Sequence, residues 1–188
     1  AEMHAEATVY NRDTSSQTFQ VEWTVLNREK KVIATHQSAN ATFAPNEKLT
    51  VKSNFNIPNA QLWDTEHPYL YTLITKITAN GKTTDLIHTR FGVRTFSYKP
   101  DGFYLNNKKM KIKGVCVHQD HAGVGTALLD ELQYYRVGLL KAMGANAYRT
   151  AHHPHSPVVL QACDSLGVLV MDETRLLNSG REYRQQFE

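Results

Sequence analysis

The sequence predicts a multidomain chain: an all-β sandwich over residues 1–96, then an α/β segment built as strand, helix, strand, helix, strand. Three observations carry this. Apolar residues alternate with period two through the first half, as in Phe19, Val21, Trp23 and Val25 against Gln20, Glu22 and Thr24. Past Phe96 the pattern changes to short apolar runs separated by helical spacing. Each of those runs ends in ionisable residues: Val115 to Val117 before His118, Ala145 to Tyr148 before Arg149, Val168 to Met171 before Asp172. Parallel β/α proteins gather their chemistry at such strand ends.

The elements follow in order. The opening AEMHAEATVYN reads as a strand entered midway, so the lack of a leader peptide says nothing about export. After the Phe19 strand, Lys31 to Phe43 alternates less cleanly and Leu49 to Ile57 alternates again through Val51 and Phe55. Asn46-Glu47 and Pro58-Asn59 are turn chemistry. Tyr69 to Thr78 and Thr83 to Phe91 flank Asn80-Gly81, the strongest hairpin signal in the chain. About seven short strands over this length suggest an immunoglobulin-like β-sandwich, though no Cys-Trp-Cys spacing marks an antibody domain. Then Lys99 to Gly102 reads as a loop, and Phe103 to Leu105 and Met110 to Lys113 as a hairpin around Asn106-Asn107. Lys108, Lys109, Lys111 and Lys113 read as a solvated hairpin edge rather than a polyanion site, since no aromatic residues interleave them.

In the α/β part, Ile112 to Val117 is the first strand. Leu132, Tyr135, Leu139, Leu140 and Met143 recur at helical spacing, so this face, Tyr135 included, is expected in the core; Gly144 closes the helix. Ser156 as N-cap and Pro157 at the first helical position open a second helix. Its apolar face is Val158, Val159, Ala162, Cys163 and Leu166, and Gly167 ends it. Val168 to Met171 is continuously apolar, as expected of a strand covered on both faces. After Asp172 the chain turns polar, with no further strand expected.

Bulk properties narrow the function classes only a little. The 188 residues are 41% hydrophobic and 21% charged, ordinary for a globular protein, and the net charge of +3 argues for neither nucleic acid nor an acidic surface. No apolar run approaches the roughly 18 residues of a membrane helix. The two cysteines, Cys116 and Cys163, sit in apolar runs and read as buried thiols, which leaves the compartment undetermined.

Of nine histidines, five lie between His118 and His155: His118, His121, His152, His153 and His155. Such clustering at consecutive strand ends fits two chemistries. Imidazoles could bind zinc, but they fall in loops without helical spacing, and no cysteine pair or spaced carboxylate set completes a ligand sphere. The alternative is recognition of a polyhydroxylated ligand, since neutral imidazole offers one donor and one acceptor while Arg and carboxylates grip hydroxyls from fixed directions. On this reading His118, Asp120, Arg149 and His152 line one side of a sugar pocket. Arg149 could also hold a catalytic carboxylate ionised.

These motifs resemble glycoside hydrolase family 2, the β-galactosidase, β-glucuronidase and β-mannosidase group. LWDTEHPYLYTL (Leu62 to Leu73) and TRFGVRTF (Thr89 to Phe96) are similar to the end of the family's immunoglobulin-like domain. KIKGVCVHQDH, NAYRTAHHP and GVLVMDE resemble the opening of its catalytic (β/α)8 TIM barrel. HQDHAGVG is most similar to the β-galactosidase branch. Asn107 departs from the family, which has Gly in this turn; Asn tolerates left-handed φ, so the hairpin should survive.

The resemblance implies a sandwich over 1–96 and an incomplete barrel of about three βα units over 97–188. It makes His118 and His152 contacts of the sugar at the cleavage position and gives Arg149 the support of the nucleophilic carboxylate. Asp120 joins them as substrate-binding, with His153, Asp172 and Glu173 in support. No metal or cofactor is expected from these residues, and a divalent cation in the complete enzyme is what some family members add. The implied partner is a β-linked oligosaccharide or glycoside.

Retaining glycosidases need two carboxyl groups across the scissile bond, and in this family both come from later strands, the acid/base from an Asn-Glu pair after strand four. No such pair follows strand three here. A complete barrel takes about 250 residues, and three of its eight strands fit. The chain is therefore expected to be an inactive fragment of a retaining, exo-acting hydrolase, with terminal β-galactosides as first substrate and β-glucuronides or β-mannosides as alternatives. A carboxylate pair drawn from Asp120, Asp172 and Glu173 is the competing catalytic reading. A carbohydrate-binding module is the non-catalytic one, although Trp23 and Trp63 both fall in core patterns. Unpaired edges on the first and third barrel strands suggest self-association.

Overall fold

In a computed structural model of the chain, which describes residues 1–173, the alternating first half forms seven strands. β1 (Glu2–Tyr10) pairs antiparallel with β5 (Lys48–Asn56). A second antiparallel sheet runs β3 (Val32–Gln37), β2 (Gln17–Leu26), β6 (Tyr71–Ala79), β7 (Lys82–Phe91), and β4 (Ala41–Phe43) adds to β2. The alternation in β2 turns Phe19, Val21, Trp23 and Val25 inward, all buried. Phe19, Val21 and Trp23 meet Ala5, Phe43 and Ile77, with Leu49, Val51 and Phe55 of β5 packed against them. This is the expected sandwich. Asn80 and Gly81 both have positive φ (49° and 74°), the twist that a two-residue hairpin between right-handed strands requires.

Residues Trp63–Pro68 and Arg94 onward form a separate compact unit. It begins with an antiparallel meander of β8 (Phe96–Lys99), β9 (Gly102–Leu105) and β10 (Lys108–Met110). Strand β8 was not expected, because Phe96 and Tyr98 point to the exposed side and leave no buried alternation to read. The return strand starts at Lys108 rather than Met110, since Asn106 and Asn107 (φ 50° and 63°) make the whole turn between them.

Next comes a parallel three-stranded sheet in the order β11 (Gly114–Val117), β12 (Ala147–Thr150), β13 (Leu169–Met171). Helix α1 (Asp130–Ala142) connects the first two strands and α2 (Pro157–Leu166) the last two. Ser156 caps α2 by accepting the Val158 N–H, and Gly167 ends it in the left-handed conformation. Val137, Tyr148, Val159, Ala162, Cys163 and Val168 form the core between helices and sheet.

Two expectations fail here. The buried face of α1 is Gln133 and Val137, flanked by Tyr134 and Leu140, while Tyr135 is 60% and Met143 72% exposed. Apolar residues lie on both sides of this helix, and the partner, α2, decides which side is buried. Met171 is also exposed, so β13 is not covered on both faces. The polar stretch expected to hold no strand lies, from residue 174 onward and including Arg175, outside the described residues.

A strap contributed by Trp63–Pro68 closes the helix C-termini. The Trp63 indole N–H donates to the Asp164 carbonyl at 2.8 Å, and the Asn106 amide donates to the Trp63 carbonyl at 2.9 Å. Lys141 donates to the carbonyls of Thr65 and Gly167. Trp63 is buried as expected, but as part of this strap.

Candidate functional site

Strand alternation sorts the parallel sheet into two faces. Val117, Tyr148 and Val170 point to the helices. Cys116, Arg149 and Met171 are register partners across β11, β12 and β13 and point to the other, open face. One layer further along, past the strand ends, His118 and Glu173 follow the same parity.

On the open face Arg149 is the hub. Its Nε and Nη2 donate to Glu173 Oε1 at 3.0 and 2.6 Å, and its Nη1 donates to Cys116 Sγ at 3.1 Å. The Cys116 sulfur, then the Glu173 carboxylate, hold the guanidinium pKa above its ordinary value. Glu173 Oε2 is buried and makes no hydrogen bond among the described residues, and His152 Nδ1 lies 3.5 Å from it. The His118 ring stands edge-on to His152, with centroids 5.4 Å apart. His118, Arg149, His152 and Glu173 thus come together from the ends of three adjacent strands.

The other expected residues do not join them. Asp120 is exposed in the loop after β11 and has no hydrogen bond or ion pair among the described residues. His153 is exposed, with its Nδ1 2.9 Å from the Pro154 carbonyl. Asp172 turns to the helix face, where Oδ1 accepts from Thr150 Oγ1 at 2.7 Å. Neighbours in sequence point to opposite faces of a strand, so the Asp172-Glu173 pair is split. Thr150 secures the split, since its hydroxyl also accepts the Glu173 N–H at 2.8 Å.

Cys116 corrects an expectation: it is exposed, because its parity places it on the open face, whereas Cys163 is buried and its thiol is pushed up to about 12 by burial. Sequence reasoning also missed a buried pair behind the site. The Tyr148 hydroxyl and His155 Nδ1 lie 2.9 Å apart, burial pushes the tyrosine up to about 12, and burial lowers the His155 pKa. His155 was visible only as one of five clustered histidines. Among the described residues no group of three His, Cys, Asp or Glu side chains is disposed to hold a metal ion, and no helix is long and apolar enough to cross a membrane.

Residues 1–94 match the description "Glycosyl hydrolases family 2", and residues 96–186 match "Glycosyl hydrolases family 2, TIM barrel domain". The chain belongs to glycosyl hydrolase family 2. A β-galactosidase of Bacteroides ovatus is 32% identical over 100% of the chain and 22% of its own length. A β-glucuronidase of Mus musculus is 34% identical over 84% of the chain and 23% of its own length. The crystal structure of a Bacteroides uniformis β-glucuronidase superposes with a TM-score of 0.88 at 27% identity, covering 95% of the chain and 22% of that protein. The chain thus spans less than a quarter of the length of these relatives. In the family frame the β11–β13 unit is the start of the TIM barrel.

Proposed function

We propose that the chain forms the sandwich and the opening barrel strands of a retaining, exo-acting β-glycosidase, with the boundary near residue 96. The observation that carries this reading is the convergence of His118, His152 and the Arg149–Glu173 pair at three strand ends. Imidazoles there can donate to and accept from sugar hydroxyls, and a neutralised ion pair gives the pocket a fixed polar wall. Asp120 would close on the sugar from the loop after β11, and His153 and Asp172 would support the strand ends.

The chain's own carboxylates do not make the reacting pair. Glu173 Oε1 accepts two N–H bonds from Arg149, and this pairing fixes the carboxylate in the wall of the site. Asp172 faces the helices. A retaining mechanism needs one carboxylic acid to protonate the leaving oxygen and one free carboxylate about 5 Å away to attack. Both would come from barrel strands beyond β13. Among the described residues β11 and β13 are the edges of the parallel sheet, and self-association through them is expected of the chain alone; sedimentation as a clean monomer would count against that.

A terminal β-galactoside is the first substrate on the motif HQDHAGVG, and the relatives' names support a β-glucuronide equally. Arg149, the cation of the described cluster, is bound to Glu173, so a glucuronate carboxylate would need a cation from elsewhere in the barrel. Assay of the longer polypeptide carrying this chain on chromogenic β-galactoside, β-glucuronide and β-mannoside separates them. Turnover of none would end the glycosidase reading.

A further inference from the structure

The His118 backbone is held by a residue of the helix layer. Arg136 of α1 donates from Nη2 to the His118 carbonyl at 2.7 Å. That carbonyl lies beyond the β-ladder, whose run closes one residue earlier with the Ala151 N–H donating to the Val117 carbonyl at 3.1 Å. Past His118 the chain enters an exposed loop whose backbone bonds close on themselves, His121 with Gly125 and Val124 with Ala127 and His121. Arg136 is thus a tie between this strand end and the helix layer.

The guanidinium is committed to this task. It forms no ion pair among the described residues, and its Nη1 is buried without a hydrogen bond there. Arg136 is half-buried, and a charged donor gives its backbone carbonyl acceptor a stronger and more directional hold than a neutral one would. Tyr148 and His155, bonded to each other at 2.9 Å and both buried, stand on the same helix-facing side.

We propose that Arg136 is a positioning residue for the sugar site. By fixing the His118 carbonyl it fixes the rotation of the His118 backbone, and with it the edge-on placement of the His118 ring against His152. The role rests on the glycosidase reading for its consequence in turnover, but the placement of His118 can be measured without any activity.

The test uses Arg136→Met, which keeps the aliphatic stem and removes the donors, and Arg136→Lys, which keeps charge and one donor. In the 188-residue chain labelled at histidine ring carbons, Arg136→Met should shift the His118 and His152 ring resonances while the Trp23 indole signal stays in place. Unmoved histidine rings would overturn the inference whether or not the glycosidase reading holds. In the longer polypeptide, Arg136→Met should lower kcat/KM by about tenfold or more, with added guanidinium restoring part of it and Arg136→Lys falling between. A wild type active on a glycoside with an Arg136→Met variant within twofold of it would overturn the inference and leave the reading intact. A wild type inactive on every glycoside would refute the reading instead, and the ring resonances would then decide the inference alone. If Arg136→Met does not fold, Arg136→Lys carries both measurements.

Discussion

Gly167 is the position where one methyl group should do most damage to the barrel unit. It ends α2 with φ +73°, and a Cβ built there would lie 2.3 Å from the Thr65 carbonyl oxygen and 2.9 Å from its carbon. Two costs follow for Gly167→Ala. Left-handed φ costs a residue with Cβ about 1–2 kcal/mol. The overlap cannot be absorbed by a flexible side chain, because the atoms it meets are backbone, so the strap must move by about 1 Å to reach ordinary contact. That strap carries Trp63, whose complete loss from its site would cost about 3–5 kcal/mol. A partial shift puts the total near 3 kcal/mol. Gly144→Ala is the control: Gly144 has φ +90° and nothing within 4 Å of a built Cβ, so it pays the backbone cost alone. Urea unfolding gives the stabilities, and acrylamide quenching reports the strap, since Trp23 and Trp63 are both buried in the wild type. Gly167→Ala should be the less stable variant by 1 kcal/mol or more, with one tryptophan newly quenchable. Equal stabilities and two shielded tryptophans would refute the account of the strap.

Other outcomes are as specific. His152→Ala in the longer polypeptide should lower glycoside turnover far more than thermal stability; equal losses of both would make His152 a packing residue. His155 is buried among His153, Arg136 and Asp172, and burial first, then the neighbouring charges of His153 and Arg136, lower its pKa from 6.5. The folded state therefore resists protonating it: stability is full above pH 6.5 and declines as pH falls toward the folded pKa. His155→Asn should flatten that decline in urea titrations between pH 7 and 5, and an unchanged slope would remove His155 from it. In the second hairpin turn, Asn107→Gly should leave stability within a few tenths of a kcal/mol. Asn106→Gly should cost about 1–2 kcal/mol, because the Asn106 side chain accepts from the Thr95 N–H and donates to the Trp63 carbonyl. Thermal melts of the pair check this difference.

What the sequence made legible follows from which patterns have a single physical solution. Alternation in β2 has one, since only one parity buries Phe19, Val21 and Trp23. Asn80-Gly81 and Ser156-Pro157 likewise have few conformations open to them. Helix α1 did not, because Leu139 and Val137 are both apolar and only the packing of α2 selects between them. At the site, the strand ends announced His118, Arg149 and His152, but a pair of neighbouring acids conceals which one faces inward. Register resolved it, sending Glu173 to Arg149 and Asp172 to Thr150. Arg136 was not legible, since it acts through a backbone carbonyl and leaves no pattern of side-chain chemistry in the sequence.

The central claim is that this chain holds part of a sugar site and none of the reacting carboxylates. Hydrolysis of chromogenic β-galactoside and β-glucuronide, measured side by side for the 188-residue chain and the longer polypeptide carrying it, tests this most directly. The account predicts turnover by the longer polypeptide and none by the chain alone. Hydrolysis by the isolated chain would contradict it and return Asp120, Asp172 and Glu173 to the reaction itself.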